Sequence, residues 1–443
     1  MELRDLVVTP IVIMLVLMGA YLVRPYVTDS INRRYFFPAL TVKIIGAISI
    51  GIIYQFYYSG GDTFMYHTYG SRAVWQALTD DPEAGFKLIF SNGIDQVGIY
   101  KYSSQIYFFN DPASYMVVRV ASLFDLFTYS TYSATASLFA LLSFVGMWCF
   151  FLTFYKQYPH LHQGLALASF FIPSVFFWGS GILKDSLTIA CLGIATYQFY
   201  RIFFERNFSL LNFAILIIAL LGIFSIKKFV LQAYLPAVIV WVFVKNFSHV
   251  RSLVLRIILI PFVAVIVTVS AYYTVFKVGE DDSRYSIDKI AETAQITAYD
   301  IRYWSGREAG SGYSLGKLDG SFASMLRLAP QAINATLFRP YLWEARNPLM
   351  VLSAVESFFI FSLMIYVFLK KRSKVFTSFN NPNILFSVLF SIAFAFAVGV
   401  STFNFGTLVR YKIPMIPFFM VALVLIFDHE NKDKKFSELE ATE

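Results

Sequence analysis

The chain has 443 residues, of which 57% are hydrophobic and only 14% charged, with 48 Phe and 28 Tyr. Soluble domains carry roughly a quarter charged residues, so this composition excludes a water-soluble globular protein. The formal charge of +8 would point to nucleic acid in a soluble protein, but Lys and Arg gather in the cytoplasmic loops of membrane proteins, and no nucleic acid is expected as a partner. Cys149 and Cys191 sit inside apolar runs without Cys-x-x-Cys or His/Cys spacing, which argues against a disulfide framework and a thiolate zinc site.

Apolar runs of about 20 residues can each cross roughly 30 Å of hydrocarbon. Bounded by Lys, Arg, Pro and Asn, they predict an all-α polytopic membrane protein with about eleven spans. These fall at 6–23, 42–58, 133–154, 165–180, 187–203, 209–226, 229–245, 257–275, 348–369, 383–401 and 411–427. Residues 1–427 then form a single membrane domain, and 428–443 a charged cytoplasmic tail expected to be disordered. The start, Met-Glu-Leu-Arg-Asp, reads as leading into a retained span. With the N-terminus outside, the inner segments collect Arg24, Arg33, Arg34, Lys156, Arg206, Lys245 and Lys370 to Lys374. The positive-inside rule favours that orientation. Two long segments, 59–132 and 276–347, then fall on the outer face. Connections of that length are commonly functional. The first contains a helical stretch to Leu78 and an amphipathic one at 113–128; the second contains helix candidates at 285–302 and 322–337 around a Gly-rich stretch.

Ionisable residues at the outer ends of spans are costly without partners or water, and so mark candidate sites. The first cluster is Gly60-Gly61-Asp62 running to His67 and Gly70. On a helix starting there, Asp62 and Tyr66 share a face, and His67 is the one outward histidine. The alternative role for Asp62 is to N-cap that helix. The second is Pro173 to Ser186, a turn carrying Trp178 and the adjacent Lys184-Asp185, which also reads as a snorkelling lysine paired with its neighbour. Third, Lys227 and Lys228 break the positive-inside pattern on a short outer turn, and suit an anionic headgroup. Fourth, Arg410 stands near Lys412 at the start of the last span, where its guanidinium matches phosphate oxygens geometrically. One carboxylate with several cations on one face suits attack of a hydroxyl on a sugar carried by a lipid phosphate.

The arrangement Asp62…Tyr66…Ala73, the turn Trp178…Lys184-Asp185, and Arg410-Tyr411…Pro414…Pro417 resemble the GT-C superfamily of integral-membrane glycosyltransferases. The nearest likeness is to bacterial relatives of protein mannosyltransferases and of lipid A aminoarabinose transferases. The resemblance implies an inverting transferase that uses a polyprenyl-phosphate-linked sugar donor and a glycan, lipid or protein acceptor among membrane lipids. It implies Asp62 as general base, Tyr66, His67 and Asp185 as substrate contacts, and Arg410 with Lys184, Lys227 or Lys228 as phosphate ligands. The span 6–23 is extra to that pattern, and only one acidic residue follows the glycines. A second carboxylate would come from Asp95, Asp111 or Asp185, or be lacking, so a divalent metal stays open and no cofactor is assigned. The Arg339 to Glu344 stretch reads either as part of an acceptor site or as an aromatic-belt anchor. The competing classes are an O-antigen-type polysaccharide polymerase or ligase, a lipid-linked sugar flippase, and a membrane O-acyltransferase.

Overall fold

The computed structural model describes residues 2–91, 93–94, 97–247, 290–301, 311–316, 319 and 321–428. The expected span 257–275, Asp95 and the tail from 429 lie outside them. Among the described residues the architecture is helical, with one isolated bridge, Gly312 to Asn404, in place of any sheet. Among the described residues, six helices are long and apolar enough to cross a membrane, or seven if one bent pair is counted as a span.

The expectation of a helical chain with several membrane-crossing helices is met, while among the described residues several of the eleven expected runs differ in local structure. The run 165–180 is broken into His162–Phe170 and Pro173–Trp178. Ile172, before the proline, is extended at φ −75° and ψ 121°, because the pyrrolidine ring disfavours helical geometry in the preceding residue. The run 411–427 is bent by 65° between Phe405–Tyr411 and Ile416–Asp428, on either side of Pro414. The run 209–226 gives Leu210–Ile226, a helix of only 17 residues. The segment 24–41, read as an inner connection, is mostly helix, since the second span starts at Arg33 and not near residue 42.

The chain divides into two compact units, the first comprising residues 1–162, 169–200 and 208–227, the second 163–168, 201–207 and 228–443. In the first unit we label α1 (Asp5–Val27), α2 (Arg33–Phe56), α3 (Asp62–Tyr66), α4 (Arg72–Asp80), α5 (Pro82–Phe90), α6 (Tyr100–Ser103), α7 (Pro112–Thr128) and α8 (Tyr132–Tyr155). The broken pair is α9 (His162–Phe170), most of which falls in the second unit, and α10 (Pro173–Trp178), followed by α11 (Lys184–Phe203) and α12 (Leu210–Ile226). One end of the unit is fixed where Asp5 Oδ1 accepts the Ser133 amide at 2.9 Å, tying the start of α1 to the start of α8. The opposite end is tied where Trp148 Nε1 donates to Val27 O at 3.3 Å.

Close helix contacts in this unit run through glycine. A Cβ on Gly146 of α8 would stand 2.3 Å from Ala190 O, and one on Gly193 of α11 would stand 2.1 Å from Gly146 O. Small residues let helix backbones approach in a bilayer, where packing rather than hydrophobicity drives association. Gly146→Val is expected to push α8 and α11 apart and cost about 1–3 kcal/mol. Thermal unfolding in detergent reads it, and an unchanged midpoint would contradict the packing described.

The second unit holds Lys228–Phe247, Ala329–Phe338, Pro348–Lys371, Pro382–Ser401 and the bent pair. Its core is aromatic: Trp241 stacks on Phe386 with centroids 4.4 Å apart and donates to Asn383 Oδ1 at 2.8 Å. Its indole N–H is thereby satisfied where no water reaches.

Candidate functional site

The site begins at the end of α2. Gly60 and Gly61 carry φ of 137° and 130°, a region L side chains avoid, and a Cβ at Gly61 would fall 2.6 Å from Tyr54 Cε1. The two glycines let the chain turn sharply against Tyr54 and start α3. The residue capping α3 is Gly61 and Asp62 is the first helical residue, so the alternative reading of Asp62 as the N-cap is corrected. Asp62 is half-buried.

Four residues singled out from three separate stretches of sequence gather here within the first unit. Lys184 Nζ lies 3.4 Å from Asp111 Oδ2, and the charges of Asp62 and Lys227 also act on it. Lys227 Nζ lies 2.5 Å from Asp185 Oδ1, with the two side chains 6% and 1% exposed. Lys184 and Asp185 do not pair with each other, contrary to the reading of a lysine paired with its neighbour. Consecutive helix residues point in different directions, so each finds a partner from another part of the chain. Asp111 also accepts from Ser114 Oγ and from the Ala113 amide as the cap of α7. Burial alone would raise its carboxyl; the Lys184 charge and these hydrogen bonds outweigh it and hold the group below the usual carboxylate range.

An aromatic wall adjoins the carboxylates. Trp178 meets Tyr54 edge-on at 6.3 Å, and Tyr54 meets Tyr58 at 5.3 Å. The turn after Trp178 is held from below by Lys43, which donates to Ser143 Oγ at 3.0 Å, Val175 O at 3.1 Å and Gly179 O at 2.9 Å. Those carbonyls belong to the short helix α10 and its exit, where orphan acceptors need donors. Lys43 was not singled out from the sequence, although an ionisable residue inside an apolar run is itself a signal.

Tyr66 and His67 lie in the packing beneath. Tyr66 is 3% exposed and stacks on Phe108 at 4.9 Å. His67 opens a π-helical turn, His67–Ser71, and is fully buried, with Nε2 3.5 Å from Asp125 Oδ1 and its ring edge-on to Tyr132. Tyr132 in turn shares a 2.6 Å hydrogen bond with Thr63, next to Asp62. Asp125 Oδ1 accepts from Thr135 Oγ1 at 2.6 Å. Turns of this kind occur often at functional sites, and this one couples the start of α3 to α7 and α8.

Lys228 and Arg410 belong to the second unit. Lys228 is the first residue of its helix, and Arg410 stands in the last turn of Phe405–Tyr411 rather than at the start of the final helix. A cation there complements the helix dipole. Its neighbour Lys412 is 1% exposed and donates to Ser357 Oγ at 3.0 Å and Arg339 O at 3.3 Å. Arg339 pairs through Nε with both carboxylate oxygens of Glu344 and lies 4.7 Å from the Tyr313 ring. Nearby, Tyr341 stacks on Trp343, which is 81% exposed. No group of three His, Cys, Asp or Glu among the described residues is placed to hold a metal ion.

No family model, curated protein or solved structure matches this chain.

Proposed function

We propose that the protein is an integral-membrane glycosyltransferase that moves a sugar from a polyprenyl-phosphate carrier to an acceptor hydroxyl on the outer face of a bacterial cytoplasmic membrane. The observation that carries the reading is the gathering of Asp62, Asp111, Lys184, Asp185 and Lys227 beside Tyr54 and Trp178, at the end of an apolar helix. Asp111 and Asp185 are each within 3.4 Å of a lysine, and Asp62 is the carboxylate at the turn against Tyr54. Asp62 takes the proton of the acceptor hydroxyl. As it does so, the hydroxyl oxygen bonds to the anomeric carbon, the bond from that carbon to the phosphate oxygen breaks, and polyprenyl phosphate departs with its electrons. Lys184 and Lys227 offset the negative charge on the departing phosphate, as preorganised donors do in a water-poor site. Trp178 and Tyr54 offer apolar faces to the sugar ring.

The Lys and Arg asymmetry supports the finer topology: about eleven spans, N-terminus and both long loops outside, tail inside. Mass spectrometry of glycoproteins and glycolipids from a deletion strain beside its parent tests the function. The expected result is a glycoconjugate lacking one sugar. A polymer shortened to single repeat units would replace this reading with a polymerase.

A further inference from the structure

The first unit contains a second feature, between α1 and α8, whose polar end lies away from Asp62. A groove of about 930 Å³ is lined by α1 and α8, at the upper limit of the roughly 300–1,000 Å³ usual for ligand pockets. It follows α8 from Leu138 to Lys156, roughly 27 Å at about 1.5 Å per residue, which is most of the hydrocarbon thickness. Val16, Gly19 and Val23 face it from α1, and Cys149 from α8. A Cβ on Gly19 would meet nothing within 4 Å. Apolar cavities stay dry and take apolar guests.

The character changes at the end away from Asp62. There the lining turns to Thr28, Asp29, Asn32, Tyr155 and Lys156. Asp29 is engaged in its own turn, accepting from the Ile31 and Asn32 amides at 2.8 Å and 2.9 Å and from Tyr155 OH at 3.0 Å. Lys156 is the cation in the lining; Arg24 and Arg34 sit on the same connection just outside it, Arg24 donating to Arg33 O at 3.2 Å and Arg34 to Ile31 O at 3.0 Å. An excess of cations at the mouth of a long dry groove complements one kind of molecule, an anionic lipid.

We infer that the α1–α8 groove binds one anionic glycerophospholipid, its acyl chains along α8 and its phosphate at Arg24 and Lys156. The site is distinct from that around Asp62 and does not depend on the glycosyltransferase reading. The lipid fills space that would otherwise leave α1 poorly packed, and anchors the first helix to the unit.

The test is native mass spectrometry of the full chain exchanged into equal phosphatidylglycerol and phosphatidylcholine. One phosphatidylglycerol should be retained at least about tenfold over phosphatidylcholine, equivalent to about 1.4 kcal/mol. Gly19→Phe fills the groove and should abolish retention with unchanged helicity and elution. Lys156→Glu with Arg24→Gln should remove the headgroup preference. Should Gly19→Phe fail to fold, maleimide labelling of Cys149 in the wild-type protein, mapped by peptide, still decides: phosphatidylglycerol should protect it and phosphatidylcholine should not. Equal retention of both lipids, retention unaltered by a folded Gly19→Phe, equal Cys149 labelling in both, or a polyprenyl phosphate held in place of the phospholipid would overturn the assignment.

Discussion

Asp62→Asn is expected to lower sugar transfer by about 10² to 10⁴ while leaving the protein folded, because losing general-base catalysis alone typically costs that much. The substitution keeps the size of the side chain. Gly61 is the cap of α3 and makes no side-chain bond, so no capping contact disappears. Thermal stability in detergent and transfer of a labelled sugar should be measured on the same preparation. Normal stability with lost transfer is the expected pair. Full activity in Asp62→Asn would remove the base from the mechanism and turn attention to Asp185 or to a transporter.

The second large effect concerns Lys227 and Asp185, buried together at 2.5 Å. Removing one member of a buried ion pair leaves an uncompensated charge and costs about 3–5 kcal/mol, whereas replacing both by apolar groups is often close to neutral. Lys227→Met alone should therefore lower the unfolding midpoint sharply. Lys227→Met combined with Asp185→Leu should recover most of it. The double variant separates structure from chemistry: it should be stable yet poor in transfer, because the phosphate then lacks a cation. Recovery of both stability and activity would reduce the pair to a structural role.

Much of the candidate site was legible because polar residues are conspicuous in an apolar chain. Asp62, Lys184, Asp185 and Lys227 stand out against 57% hydrophobic composition, and Gly60-Gly61 marks a turn needing positive φ. Pairing was not legible. Adjacency in sequence suggests Lys184 with Asp185, but side chains one residue apart on a helix do not face each other, and the partners are Asp111 and Lys227. Two of the expected runs differ in shape because length was read without backbone geometry. Pro173 breaks one apolar run, and the 65° bend around Pro414 divides another. The start of α2 was placed too late because Arg33, Arg34 and Pro38 read as a boundary, although all three lie in the first turns of the helix. Lys43 sits inside α2 with three acceptors of its own, at 2.9 to 3.1 Å. His67 falls in the first outer loop of the expected topology, and the π turn folds it into the packing beside Asp125, which sequence alone did not reveal.

The most direct test is a reaction in proteoliposomes containing the purified protein, a panel of polyprenyl-phosphate-linked sugars and membrane-derived acceptors, following both the chemical fate and the leaflet of the donor. The account predicts that one donor is converted to free polyprenyl phosphate as its sugar appears on an acceptor, with wild-type protein and not with Asp62→Asn. Intact donor crossing to the opposite leaflet, with no sugar transferred, would contradict it.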